Sequence, residues 1–149
     1  ATLSASQASV HPLKDEFGRL ADYLALMGMR MGERLQVRLD LPEALEDRPF
    51  PALLLQPLVE NAIRHGVEPS ATGGWIEVSA RREGATLVLS VRNGGQPLVP
   101  PGCAGFGLRQ VRDRLATLYG SQARLELHTA SDARGGTLAR VHLPLEGTP

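Results

Sequence analysis

The sequence predicts an α+β protein, a two-layer α/β sandwich in which helices cover one face of a mostly antiparallel mixed sheet. Two kinds of segment alternate along the chain, in the order helix, strand, helix, two strands, helix, two strands. Each helical segment has one apolar stripe and each strand has one apolar face, so the two kinds of element bury their apolar sides against each other.

Composition limits the classes of function. The chain has 149 residues, 42% of them hydrophobic, which is enough for one domain with a sizeable core. Sixteen Lys and Arg balance sixteen Asp and Glu, so no long-range field favours nucleic acid as a partner. The single cysteine, Cys103, excludes a disulfide framework. Apolar runs are far shorter than the ~20 residues of a membrane helix, and we expect a cytoplasmic domain with a disordered start at 1–12 and a tail at 146–149.

The first predicted elements are a helix and a short strand. Between Leu13 and Met31 the apolar residues recur at steps of three and four. They are Phe17, Leu20, Ala21, Leu24 and Met27. Leu35, Val37 and Leu39 then alternate with polar residues and predict a strand, which a proline-rich connector follows from Pro42 to Pro51.

A second helix is predicted from about Ala52 to Val67, with its apolar stripe at Leu55, Leu58, Val59, Ala62 and Ile63. Asn61, Arg64 and His65 are spaced i, i+3 and i+4 on the polar side, so they project together. An Asn oxygen suits Mg²⁺ when phosphate and water fill the other positions. Arg64 and His65 suit phosphate charge, and Glu60 suits a proton acceptor. Spacing alone does not identify a binding site, because these polar residues could equally form the solvent-exposed face of an ordinary amphipathic helix, and that interpretation is the one it favours.

A hairpin, a glycine-rich loop and a third helix come next. Trp75 to Arg82 and Thr86 to Arg92 alternate and predict antiparallel strands joined at Glu83-Gly84. Residues 93–104 are rich in Gly and Pro and predict an irregular loop. Gly105 and Gly107 lead into a helix that ends near residue 119, whose N-terminal N–H groups favour anions. The alternative to a ligand-binding role is that this glycine-rich loop is an ordinary flexible connector. Two final strands are predicted at about 124–129 and 137–145.

Three stretches, in this order, resemble one family. Residues 55–66, which contain Gln56, Pro57, Glu60 and Asn61, resemble the N box of LytS-type sensor histidine kinases. These belong to the GHKL ATPases, with gyrase, MutL and the heat-shock chaperones. Residues 105–108 and the helix after them resemble the group's second glycine box, and Gly136-Thr137 resembles the end of the domain. Residues 13–35 resemble the segment that follows the phosphoacceptor helix.

The resemblance implies the Bergerat ATP-binding fold and a set of residue roles. Asn61 would hold Mg²⁺, and Glu60 would contact a water or the acceptor histidine. The nucleotide-binding residues implied are Asn61, Arg64, His65, Asn93, Gly95, Gly105, Gly107, Leu108 and Thr137. Among these, Arg64 and His65 face phosphate, Asn93, Gly95 and Thr137 face adenine, and Gly105, Gly107 and Leu108 shape the triphosphate site under a lid at about 96–104. Asn93 stands where these families usually have Asp, and its amide oxygen accepts the same hydrogen bond.

The implied function is that of the catalytic domain of a two-component sensor histidine kinase, with a linker helix and domain start at 13–35 and the catalytic domain at 36–145. Using ATP and Mg²⁺, it would phosphorylate a histidine in a dimerisation segment that this chain lacks, for transfer to a response regulator. The isolated chain would not phosphorylate itself. The parent would be a homodimer anchored in the inner membrane.

Two alternatives stay open: a nucleotide-binding module without kinase activity, and a serine kinase of the anti-sigma type with the same fold. The Pro-His-Phe-Leu-Phe-Asn type of phosphoacceptor motif is missing. His11, which precedes Pro12, is expected to be an ordinary exposed histidine.

Overall fold

The computed structural model describes residues 9–94, 105–129 and 135–145. The helices of these residues are α1 (Leu13–Met31), α2 (Gln56–Asn61) and α3 (Gly105–Tyr119), and a π-helical turn (Ala62–Val67) continues α2. The strands are β1 (Val10–Pro12), β2 (Leu35–Asp40), β3 (Pro49–Pro51), β4 (Gly74–Glu83), β5 (Thr86–Asn93), β6 (Arg124–Thr129) and β7 (Thr137–Pro144).

Five strands form the main sheet, in the order β2-β4-β5-β7-β6. Strand β2 runs parallel to β4, and the other neighbours are antiparallel. One face of this sheet is buried together with the apolar sides of the helices in a single core. The central residues of that face are Ile76, Val78, Leu87, Leu89, Val91 and Val141. The predicted two-layer sandwich is therefore confirmed, and so is the hairpin, whose turn contains Gly84 at φ 62°.

Helix α1 has the predicted bounds and buries most of the predicted stripe. Phe17, Leu20 and Leu24 are buried, whereas Ala21 and Met27 are only half-buried. The strand after it departs further from expectation, because Val37 is 44% exposed. Strand β2 lies at the edge of the sheet with β4 as its only sheet neighbour among the described residues, so its apolar face is incompletely covered.

The second helix starts later than predicted. Residues 52–55 form a turn, and α2 begins at Gln56, not at Ala52. The cause is Pro57. In a helix that began at Ala52, the ring of Pro57 would clash with the carbonyl of Leu53, whereas proline fits the first turn of a helix. The apolar stripe of the helix is nevertheless buried as predicted.

A two-stranded ribbon lies outside the main sheet. Strand β1 pairs with β3 in antiparallel register, with His11 opposite Phe50. Sequence analysis placed β1 in a disordered start and β3 in a connector, so this ribbon is a correction. The prediction for His11 was also wrong: its side chain is 15% exposed, and Nε2 lies 2.9 Å from Oε1 of Glu16.

Candidate functional site

A cleft lies between the helices and the inner face of the sheet, and we call it the sheet cleft. It is lined by Leu58, Asn61, Ala62, Val91, Asn93, Leu108, Leu127, Thr137 and Ala139. Most of these residues are apolar, and the polar ones are Asn61, Asn93 and Thr137. Its composition, mostly apolar with a few polar groups, is that of a small-molecule site, but its volume in this structure is only ≈ 10 Å³. A base could enter only if the helices and the sheet move apart. The structure thus brings together four residues that the sequence assigned to nucleotide binding, Leu108 being the fourth.

The polar floor of the sheet cleft is built by two neighbouring strands. Asn93 ends β5 and Thr137 starts β7, and the two residues are directly paired in the antiparallel register. Both are buried, with 2% and 8% of their surface exposed. The Nδ2 group of Asn93 lies 3.4 Å from the carbonyl oxygen of Gly94. This contact assigns Oδ1 as the side-chain atom that would accept a hydrogen bond from an amino group of a ligand.

The ends of these strands are held from the other side by Trp75. A Cβ added to Gly94 would lie 2.2 Å from the indole Nε1, so only glycine fits beneath the ring. Gly136 is equally constrained: its φ is 88°, and an added Cβ would lie 2.3 Å from the carbonyl oxygen of Asn93. The guanidinium of Arg92 lies 5.5 Å from the centroid of the indole, and its Nη2 donates to the carbonyl of Gly135 at 2.7 Å. Together these contacts fix the backbone on both sides of Asn93.

Glu60 faces a different space from its neighbour Asn61. A second cleft of ≈ 360 Å³, which we call the helix cleft, lies between α2 and α3. It is lined by Leu53, Leu54, Gln56, Pro57, Glu60, Gln110, Val111 and Arg114. Within it, Nε2 of Gln56 donates to Oε2 of Glu60 at 3.2 Å, which orients the carboxylate. The two residues predicted to be catalytic therefore point into adjacent clefts on either side of one helix.

Arg64 and His65 do not line the sheet cleft. Arg64 is exposed and His65 half-buried. Sequence analysis assumed a regular α-helix through this region, but both residues lie in the π-helical turn, where the amide of Glu68 donates to the carbonyl of Ile63 at 2.8 Å. A π turn is wider than an α turn, so the spacing i, i+3, i+4 no longer places Asn61, Arg64 and His65 in one tight row.

The glycines predicted to bind nucleotide lie at the edges of the described chain. Gly95 and the predicted lid at 96–104 fall outside the described residues. Gly105 and Gly107 are in the first turn of α3, directly before Leu108, which reaches the sheet cleft. The first N–H groups of a helix have no partners within it, and a helix N-terminus favours anions.

Helix α1 also borders the helix that carries Glu60. Burial raises the pKa of Tyr23, and the nearby carboxylates of Glu60 and Glu68 raise it further. Arg30 in the same helix forms an ion pair with Glu68 at 3.2 Å. On α3, burial lowers the pKa of Arg114, and the carboxylate of Glu16 opposes this change. Side chains of α1 therefore lie near Glu60 of α2, near Glu68 after the π-helical turn, and near Arg114 of α3.

Two residues have structural roles that the sequence did not predict: Glu16, which is buried, and Trp75, which packs against the ends of the strands. Glu16 is 1% exposed and lies at i−4 from Leu20 on the buried side of α1. An acidic residue inside an apolar stripe was the signal for it. From the sequence, Trp75 was predicted only as the first residue of a strand. The signal for its role was the pair of glycine dipeptides, residues 94–95 and 135–136, that flank Asn93 and Thr137.

The sheet is mixed, helices cover one face, and the cleft between them includes Asn61, which lies in the stretch that resembles an N box. This arrangement is the one expected of an ATPase domain of the GHKL type. Comparison with known proteins agrees. Residues 46–147 match the family described as histidine kinase-, DNA gyrase B- and HSP90-like ATPase. The chain therefore belongs to this ATPase family, and ATP binding goes with that membership.

Relatives of the chain include sensor kinases. It is 34% identical to sensor histidine kinase BtsS of Escherichia coli K12 over 122 residues, which are 81% of this chain and 22% of BtsS. It is 28% identical to sensor protein LytS of Bacillus subtilis over 148 residues, 91% of this chain and 25% of LytS. The chain thus spans about a fifth to a quarter of these relatives.

Solved structures share the fold. The histidine kinase domain of the blue-light activated kinase of Erythrobacter litoralis superposes with a TM-score of 0.66 at 20% identity, covering 90% of this chain and 61% of that one. At this identity the likeness concerns the fold alone. Among the described residues, no helix is long and apolar enough to cross a membrane.

Proposed function

We propose that this chain is the ATP-binding catalytic domain of a sensor histidine kinase, which transfers the γ-phosphate of ATP to a histidine and from there to a response regulator. The observation that carries the proposal is the meeting of Asn61, Asn93 and Thr137 in one mostly apolar cleft. Family membership and the kinase relatives support it. In the whole protein, the acceptor histidine, the dimer and the membrane anchor would be supplied by other segments.

In this proposal the sheet binds the base. The side-chain oxygen of Asn93 accepts the adenine amino hydrogen, with Thr137 beside it and Gly95 completing the contact. The apolar walls of the sheet cleft take the ring. The start of α3, with Gly105, Gly107 and Leu108, lies along the triphosphate, because helix N-termini favour phosphate.

Asn61 is the proposed protein ligand of Mg²⁺. Its amide oxygen is a hard, neutral donor at the edge of the cleft, as Mg²⁺ accepts. Among the described residues, no three His, Cys, Asp or Glu side chains are grouped as a metal site. Phosphate oxygens and water must therefore supply the other ligand positions. Arg64 and His65 are proposed to contribute charge on the phosphate side.

Glu60 is the proposed proton acceptor. During transfer, a nitrogen of the acceptor imidazole bonds to the γ-phosphorus as the bond from phosphorus to the β–γ bridging oxygen breaks and ADP leaves. Glu60 takes the proton from the other imidazole nitrogen, or orders a water that does so. Its carboxylate faces the helix cleft and Asn61 faces the nucleotide, so the acceptor would approach from the helix cleft. The rest of catalysis is positioning and charge neutralisation.

The test is removal of the Asn61 amide. Asn61→Ala should abolish the Mg²⁺-dependent part of ATP binding in calorimetry without unfolding the domain, because the residue is only half-buried. Gln36→Ala, which removes an exposed amide from the edge strand β2, is the matched control and should bind as the wild type does. Unchanged Mg²⁺ dependence in Asn61→Ala would refute the metal assignment.

A further inference from the structure

The buried carboxylate of Glu16 has no role in the proposed function so far. Glu16 lies in the first turn of α1 and is 1% exposed. A buried acid requires partners to compensate for its lost hydration. Its Oε1 accepts from the amide of Leu53 at 2.8 Å and lies 2.9 Å from Nε2 of His11. Its Oε2 accepts from the amide of Leu55 at 2.8 Å. The carboxylate is thus held by three hydrogen bonds, two of them to backbone.

Both amides belong to the turn from which α2 starts. Leu55 is the residue before the helix, and its side chain provides no cap. Leu53 has φ 64°, a left-handed conformation that residues with a side chain rarely adopt. Such backbone strain persists only where the surroundings hold it. The carboxylate of Glu16 therefore does for this turn, from another helix, what a side-chain cap does locally.

The position of this turn sets the position of the proposed catalytic residues. Helix α2 is a single short element from Gln56 to Asn61. Asn61 lies about 9 Å along the helix from Leu55, at ~1.5 Å per residue. A shift of the turn would therefore move Glu60 and Asn61 with it. The residues on the sheet, Asn93 and Thr137, would stay in place.

The same carboxylate is tied to the chain that leads into α1. His11 belongs to β1, which pairs with β3 just before the turn. The amide of Ala52 donates to the carbonyl of Ser9 at 3.0 Å, and the amide of Leu13 donates to the carbonyl of Arg48 at 2.8 Å. The segment entering α1 and the turn entering α2 are therefore one hydrogen-bonded unit, with Glu16 at its centre.

We propose that Glu16 is a positioning residue that sets the start of α2, and hence the placement of Asn61 and Glu60, and that His11 ties it to β1. The inference rests on the proposed function of Asn61. It makes the placement of the metal ligand depend on the segment before α1, while the base-binding residues are independent of it.

The experiment separates these two halves of the site. In Glu16→Gln, calorimetry should find ADP binding without Mg²⁺ unchanged, because the sheet residues are intact. The gain in ATP affinity on adding Mg²⁺ should shrink by about tenfold or more, since a displacement of ~1 Å at a reacting group can cost about 100-fold. Amide exchange of Leu53 and Leu55 should become faster in the same variant.

Leu20→Ala is the matched control. Leu20 is buried in the same helix but makes no hydrogen bond to the turn. It should lower the melting temperature and keep the Mg²⁺-dependent gain.

The outcomes are distinguishable. A full Mg²⁺-dependent gain in folded Glu16→Gln, or an equal loss of the gain in Leu20→Ala, would overturn the positioning role. If Glu16→Gln does not fold, the same measurements on His11→Gln test the positioning role. It should speed exchange at Leu53 and reduce the gain, and normal values for both would overturn the proposal. A wild-type chain with no Mg²⁺-dependent gain would contradict the role of Asn61, and exchange at Leu53 and Leu55 would then still report whether Glu16 holds the turn.

Discussion

Asn93 is the residue that most directly links this sequence to base recognition. It is buried at the end of β5, paired with Thr137, and its Nδ2 faces the backbone of Gly94. In the proposed site its oxygen accepts the amino hydrogen of adenine as a neutral group. Such a bond contributes ~0.5–1.5 kcal/mol net, whereas a carboxylate would contribute ~1.5–3 kcal/mol but must also be desolvated.

These opposing terms predict how Asn93 tolerates substitution. Asn93→Asp should change ATP affinity by no more than about tenfold, which is ~1.4 kcal/mol. Asn93→Ala should weaken ATP more, because it leaves the adenine amino group without a partner in a buried site. It should also reduce discrimination against GTP, whose ring has a carbonyl at that position. Competition titrations with both nucleotides measure this. If Asn93→Ala kept its full preference for ATP, another residue would read the base.

Single residues also mark the limit of sequence reasoning at the site. That Asn61, Asn93 and Thr137 lie in one cleft could be predicted because the order of the stretches around them resembles a family pattern, although Asn93 stands where that family usually has Asp. Their roles in binding stay predictions. The place of Glu16 in the apolar stripe of α1 was a signal of its burial, but its partners could not be predicted, because two of them are the backbone amides of Leu53 and Leu55. The separation of Glu60 from Asn61 into two clefts was also hidden, since spacing places residues on a helix but does not say which neighbours enclose it.

At the scale of elements, tight backbone contacts within the sheet fix the side of the cleft that is proposed to bind adenine. Trp75 on β4 covers Gly94, and Gly136 lies against the carbonyl of Asn93. Arg92 joins the indole to Gly135. The ends of β5 and β7 are therefore held in one register at the cleft, and there is no space for a side chain at Gly94 or Gly136.

Gly136→Ala tests this arrangement. The new Cβ would meet the carbonyl of Asn93, and the residue would be strained at φ 88°. We expect a lower melting temperature and ATP binding weakened by about tenfold, ~1.4 kcal/mol. Gly73→Ala is the matched control, because its φ is 79° and its Cβ would lie 2.1 Å from the carbonyl of Arg34, away from both clefts. It should be destabilised in the same way but bind ATP normally. Equal loss of affinity in the two variants would mean that Gly136 acts only through global stability.

The elements themselves were largely predictable, and their ends were less so. Helix α1 and the β4–β5 hairpin follow from local periodicity, which the sequence displays directly. The predicted start of α2, at about Ala52, was wrong because it followed the apolar pattern and did not take account of Pro57, which fits only the first turn of the helix. The β1–β3 ribbon was missed because short strands far apart in sequence pair through backbone groups, which leave no apolar alternation to detect.

At the scale of the whole molecule, two clefts share one helix. The sheet cleft contains the residues proposed to bind the base, although at ≈ 10 Å³ it is far smaller than a nucleotide. The larger helix cleft is lined by Glu60, Gln56 and Arg114 among others. Formal charge is balanced, so local contacts rather than a long-range field would guide partners. The chain covers 22% of BtsS. If the whole protein carries the proposed acceptor histidine, linkage would supply it at high effective concentration.

The most direct test of the account is phosphotransfer. The full chain should be incubated with γ-labelled ATP and Mg²⁺, alone and with a fragment that carries the acceptor helix of the parent protein. In the proposed function the acceptor histidine lies outside this sequence, so we predict almost no label on the chain alone and acid-labile label on the histidine of the added fragment. Asn61→Ala should abolish that label. An unlabelled fragment in the presence of bound ATP, label on serine of a partner, or stable phosphate on His11 of the chain alone would contradict the account.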